Sequence, residues 1–68
     1  MIIVAEILRR NEEKKIKMAE GSTIYDLLNK IDISPDQVVT IEDERVVPVD
    51  SELKDGQKLK LMEVNSGG

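Results

Sequence analysis

Hydrophobic and polar positions along this chain fall into two periods. From Lys58 to Val64 the pattern alternates, with Leu59 and Leu61 on one face and Lys58 and Lys60 on the other, as in a half-buried strand. Lys14 to Met18 alternates in the same way, pointing Ile16 and Met18 inward and leaving Lys15 and Lys17 in water. Met1 to Leu8 is almost continuously apolar, which suits a central strand covered on part of both faces. Its odd-numbered set, Met1, Ile3, Ala5 and Ile7, carries no charge, whereas the even set holds Glu6; the odd set is therefore the expected core face. A further strand is expected over Gln37 to Glu42, with Val39 and Ile41 assigned to the core and Val38 and Thr40 to the outside.

One stretch has the longer period. Ile24, Leu27, Leu28 and Ile31 stand at i, i+3, i+4 and i+7 and form one helical stripe. Gly21-Ser22-Thr23 breaks the strand pattern before it. Thr23 is the expected N-cap, and Asp26 at the third helical position can meet free backbone N–H groups and the positive end of the dipole. Tyr25 lies off the stripe and is expected to be partly exposed.

The connections carry their own signals. Arg9 to Glu13, with Asn11 near the centre, reads as the turn of a first hairpin. Ser34-Pro35 disfavours further helix, so Asp32 to Asp36 is a loop. Asp43-Glu44 turns the chain into a short strand, Arg45 to Val47. Pro48 lacks a ladder donor, which puts that strand on an edge. Asp50 to Leu53 is a compact connection with Leu53 tucked inward, and Lys54-Asp55-Gly56-Gln57 is an Asp-Gly turn into the last strand.

The resulting order is two strands, a helix, two strands and a final strand. This is an α+β fold in which one helix covers one face of a mixed sheet of four to five strands. The crossover lets the last strand lie parallel to the first at the sheet centre. Ile3, Ile16, Leu27, Val39, Leu59 and Leu61 are then expected between sheet and helix. Val38, Met62 and Val64 are expected on the open face or its edge.

Composition narrows the function. With 68 residues, the chain is one small domain with little room for a deep cleft. Cysteine and histidine are both absent, which removes thiol nucleophiles, imidazole bases and Cys/His metal sites. A net charge of −4 with intermixed signs argues against a nucleic-acid footprint. No apolar run approaches a transmembrane span and no signal-peptide pattern opens the chain, so a cytoplasmic location is expected. A stand-alone enzyme is not expected, since scattered carboxylates such as Asp32 and Asp36 have no evident pocket to perturb them.

Asn65-Ser66-Gly67-Gly68 follows the last strand with nothing large enough to pack. Glycine has no Cβ, so a Gly-Gly end can thread a channel too narrow for any other residue. The expected organisation is a folded domain over 1–64 with a flexible diglycine tail over 65–68 that presents the Gly68 carboxylate.

In element order and in the Gly67-Gly68 end, the chain resembles the ubiquitin-like β-grasp family. The closer likeness is to the sulfur carriers ThiS and MoaD and to the small archaeal modifier proteins (SAMP). Three stretches carry it: Ser22-Thr23-Ile24-Tyr25-Asp26-Leu27-Leu28; Ile33 to Val39 followed by Arg45-Val46-Val47-Pro48; and Leu53-Lys54-Asp55-Gly56-Gln57-Lys58-Leu59 leading to the diglycine. One departure is Asp43-Glu44, where sulfur carriers often have Asn-Gly; it bears on the tightness of that turn and on the choice of subfamily.

The resemblance implies a carrier or modifier acted on by partner enzymes, with no intrinsic cofactor or metal. An E1-like enzyme would use ATP to adenylate Gly68. Sulfur transfer would then give a thiocarboxylate for tRNA thiolation, a thiamine precursor or a pterin; alternatively a target lysine would capture the activated carboxyl as an isopeptide. Gly67 and Gly68 are the implied activated residues. Met62, Val64, Val38 and Ser66, grouped around the tail, are the candidate partner-docking residues. No direct contact with nucleic acid or membrane and a monomeric state are expected. The alternatives are a ThiS/MoaD-type carrier restricted to thiamine or molybdopterin synthesis, and a plain β-grasp interaction domain with an incidental Gly-Gly end.

Overall fold

A computed structural model describes residues 1–64. Five strands and one α-helix form the frame: β1 (Ile2–Ile7), β2 (Glu12–Lys17), α1 (Ile24–Lys30), β3 (Val38–Glu42), β4 (Arg45–Val46) and β5 (Lys58–Glu63). Short 3₁₀ turns at Leu8–Arg10 and Pro35–Gln37 lie in the connections. The strands make one sheet in the order β2-β1-β5-β3-β4. β1 and β5 run parallel, and every other pair in it is antiparallel. The fold class and the parallel central pair are as expected, and β4 with its following Pro48 lies on an edge.

The odd residues of β1 do form the core face: Ile3, Ala5 and Ile7 have no exposed surface. They pack with Ile16 and Met18, with Leu59 and Leu61, and with the helix stripe Ile24, Leu27 and Leu28. Ile31, the last residue of the stripe, packs at the margin of this cluster. Leu53 is buried as expected, and Tyr25 is half exposed. Among the described residues, no helix or second sheet covers the other face.

The helix begins where local chemistry says it should. Thr23 is extended, its Oγ1 accepts from the Asp26 N–H at 3.3 Å, and Asp26 Oδ2 accepts from the Thr23 N–H at 2.9 Å. Two further first-turn donors go to the 48–53 connection: Ile24 N–H to the Ser51 carbonyl and Tyr25 N–H to the Val49 carbonyl. The four orphan donors of the helix start, on Thr23, Ile24, Tyr25 and Asp26, are thereby satisfied, and Leu27 N–H makes the first bond of the helix ladder to the Thr23 carbonyl. At the other end Asp32 takes a left-handed φ of 61°, with Ile33 N–H on Leu28 O and Asp32 N–H on Asn29 O. This is a Schellman end, and the buried Ile33 supplies its hydrophobic contact.

Three strands differ from the expectation. The β3 register is reversed: Val38 and Thr40 are buried, and Val39 and Ile41 turn toward the open face. Antiparallel partners directly opposite share a face. β3 pairs with β5 so that Thr40 faces Leu61 and Val39 faces Met62. Because Leu61 must face the helix, Thr40 goes with it, although its hydroxyl finds no hydrogen-bond partner among the described residues. Strand ends are also shorter than expected: Leu8 lies in the 3₁₀ turn that leads to Asn11 at φ 51°, Gln37 lies in the 3₁₀ turn before β3, and Val47 lies just past the end of β4.

The Asp43-Glu44 turn is tight despite lacking Asn-Gly. Glu42 pairs with Arg45, and both turn residues have positive φ, 50° and 66°, the signature of a type I′ hairpin. At the Asp55-Gly56 turn, Gly56 sits at φ 80°, and Gln57, unexpectedly buried, accepts from the Lys54 N–H through Oε1. Asp55 Oδ1 accepts from the Ile2 N–H at 2.9 Å, tying this turn to the start of β1.

Candidate docking face and the end of the last strand

The open face takes its chemistry from alternation. On β5 it presents Lys58, Lys60 and Met62, because Leu59 and Leu61 are committed to the core. Met62 lies opposite Val39, Lys60 opposite Ile41, and Ile41 opposite Val46 of β4. Val46 is 72% exposed and Met62 43% exposed. Scattered exposed hydrophobics need no explanation, but this is a contiguous set across three neighbouring strands, the kind of patch that marks a binding surface. Lys60 stands within it.

Of the residues expected to dock a partner, Met62 and Val64 are exposed beside one another at the end of β5. Val38 is not available. It is 7% exposed and belongs to the core cluster, and Val39 takes its place on the open face. The reversal of β3 also brings in Ile41 and, through the turn, Val46. The local sequence Val38-Val39-Thr40-Ile41 has apolar residues in both alternating sets, so only pairing with β5 decides which set is outside. Ser66, Gly67 and Gly68 lie outside the described residues.

The end of β5 is held by three contacts. Glu63 pairs with Val38 across the ladder, and Val64 N–H donates to the Gln37 carbonyl at 2.8 Å. Arg10, from the 3₁₀ turn after β1, approaches Glu63 side-on. Its Nε is 3.0 Å from Oε1 and Nη2 donates to Oε2 at 3.3 Å. The hydrogen bond is to Oε2; the Oε1 contact is an ionic approach without an aligned N–H, and this oxygen is shielded from water. A carboxylate thus replaces the hydrophobic residue that alternation would place after Leu61.

Elsewhere the surface is shallow. One depression lies behind the helix end, lined by Asn29, Asp32, Ser34 and Gln37, and another lies on the open face between Ile41, Asp43, Glu44, Lys58 and Lys60. Among the described residues no three His, Cys, Asp or Glu side chains gather as a metal site, and no helix is long and apolar enough to cross a membrane.

A mixed five-stranded sheet clasping one helix, with its other face open, is the β-grasp architecture of ubiquitin-like proteins. Residues 1–64 match the family model described as Small archaeal modifier protein 2, and the chain belongs to that family. It is therefore a small ubiquitin-like modifier protein.

Proposed function

We propose that this protein is a carrier and modifier activated at its Gly68 carboxylate by an E1-like, ATP-consuming enzyme. A carboxylate is a poor electrophile because attack on it must expel an oxide-like group. Adenylation, with loss of pyrophosphate, gives it AMP as leaving group. Hydrosulfide that displaces AMP yields a thiocarboxylate, the donor for a thiolation such as that of a tRNA base. A lysine amine that displaces it yields an isopeptide-linked modification. In both branches the reacting side chains belong to partner proteins, and this chain contributes Gly67, Gly68 and the surface by which it is held.

The observation that carries the reading is the family match up to Val64, followed in the sequence by Asn65-Ser66-Gly67-Gly68. The exposed apolar set beside Val64 supports docking of the activating enzyme through Met62, Val64 and Val39, with Ser66 next along the chain. Division into a 1–64 domain and a 65–68 tail is part of the same proposal.

Intact mass spectrometry of the protein from its native cells tests it. The expected spectrum contains a species with one oxygen replaced by sulfur, and digests of other proteins carry Gly-Gly remnants on lysine. Deletion of Gly68 should abolish both while leaving the fold intact. If neither species is present, and ATP–pyrophosphate exchange by the E1-like enzyme ignores the deletion, the plain interaction-domain reading takes its place.

A further inference from the structure

Acidic and basic residues are intermixed along the chain, but the fold sorts them. Even-numbered β1 residues face away from the helix, and the ladder sets Lys17 beside Ile2, Lys15 beside Val4 and Glu13 beside Glu6 on that side. On the other flank of β1 the parallel pairing sets Lys58 beside Val4 and Lys60 beside Glu6. The β2, β1 and β5 part of the open face thus holds four lysines and two glutamates, a net of +2, while Asp43 and Glu44 of the β3–β4 turn line a depression beside Lys58 and Lys60. The other six basic and twelve acidic residues leave −6 for the rest of a chain whose total is −4. Lys15, Lys17, Lys58 and Lys60 are all exposed. Lys58 meets Glu13 at 3.6 Å, with both side chains more than half exposed, so the pair is weak and leaves the ridge basic.

Edge protection accounts for lysines on β2, which is an outer strand. It does not account for Lys58 and Lys60, which lie on the central strand of the sheet. Lys15 and Lys58 flank Val4 on either side, two strand spacings or about 10 Å apart. That is about one Debye length at physiological salt, so an approaching charge feels them together. The open face is therefore divided: a basic half over β2, β1 and the start of β5, and an apolar half over β3, β4 and the end of β5, edged by Asp43 and Glu44 at the β3–β4 turn.

We propose that the basic half, Lys15, Lys17 and Lys58, is a steering site for an acidic strip on the activating enzyme, which settles alongside an apolar patch that covers Met62 and Val39. This rests on the function proposed above and adds the partner's chemistry to it. A protein surface fits better than RNA. Glu6 and Glu13 interrupt the ridge, the adjoining half is aliphatic, and the single aromatic residue, Tyr25, is on the helix and not on this face, so no ring is there to stack a base.

The test is association of the full-length chain with its E1-like enzyme, followed by stopped flow over a series of salt concentrations. The variant is Lys15→Glu/Lys17→Glu, whose melting curve reports that the fold is kept. Loss of steering should slow association about tenfold at low salt, with little change in dissociation, and the two proteins should converge at high salt. Equal association rates at low salt would overturn the proposal. So would a tRNA complex of the wild type that the variant loses while its association with the enzyme is unchanged; that result assigns the ridge to RNA. ATP–pyrophosphate exchange with the wild type separates the two levels. Exchange without salt-dependent association removes the steering site alone, whereas no exchange at all removes the activation reading and the steering site with it.

Discussion

Val38 and Val39 are adjacent, chemically identical and on opposite sides of the sheet, so the same substitution at each should give opposite phenotypes. Val38 is buried in the helix-side core. Removing its two methyl groups in Val38→Ala loses their transfer free energy and leaves a small void, together about 2 kcal/mol. For a domain this small that is a fall in melting temperature of about 10 °C. Val38→Asp forfeits the burial and also desolvates a carboxylate, at several kcal/mol, which exceeds the roughly 3–5 kcal/mol that holds such a domain together. It should be unfolded. Val39 faces Met62 across the open side, so Val39→Asp removes one cross-strand apolar pair and costs under about 1 kcal/mol. It should fold and melt within a few degrees of the wild type, yet lose activation in ATP–pyrophosphate exchange because it places a charge in the docking patch. Circular dichroism melts and the exchange assay together read both effects. If Val39→Asp unfolds the domain, or Val38→Asp leaves it folded, the β3 register is wrong. If Val39→Asp folds and is activated normally, the apolar half of the face is not the docking surface.

Two stability predictions follow from local geometry. Glu44→Gly should raise the melting temperature by about 5 °C, because a glutamate at φ 66° carries left-handed strain that glycine lacks, offset in part by glycine's greater freedom when unfolded. Glu44→Ala keeps the Cβ and should gain much less; an equal gain would point to charge relief in Glu42-Asp43-Glu44. Thr40→Val should stabilise by about 1 kcal/mol in urea titration with an unchanged m-value, since it removes a buried hydroxyl that has no partner among the described residues. A loss of stability there would mean that the hydroxyl is satisfied in solution.

Local signals settled much of this protein. The Thr23–Asp26 cap, the stripe Ile24-Leu27-Leu28, the alternation through Leu59 and Leu61 and the Asp55-Gly56 turn each act within a few residues, where propensity and period are sufficient. The candidate site was legible in part: Met62 and Val64 follow from the alternation of β5, and the diglycine stands in plain view in the sequence.

What the sequence could not determine is how β3 meets β5 and how charges gather. Val38-Val39-Thr40-Ile41 has no strong parity of its own, and the apparently better apolar set, Val39 and Ile41, lies outside because Thr40 must stand opposite the core-facing Leu61. Arg10 and Glu63, 53 positions apart, become partners only when β1 and β5 lie side by side. The same parallel pairing brings Lys58 and Lys60 to a face already lined by Lys15 and Lys17. Residue type and spacing fix what each strand can bury; only the choice of neighbours fixes which side is left for a partner to read.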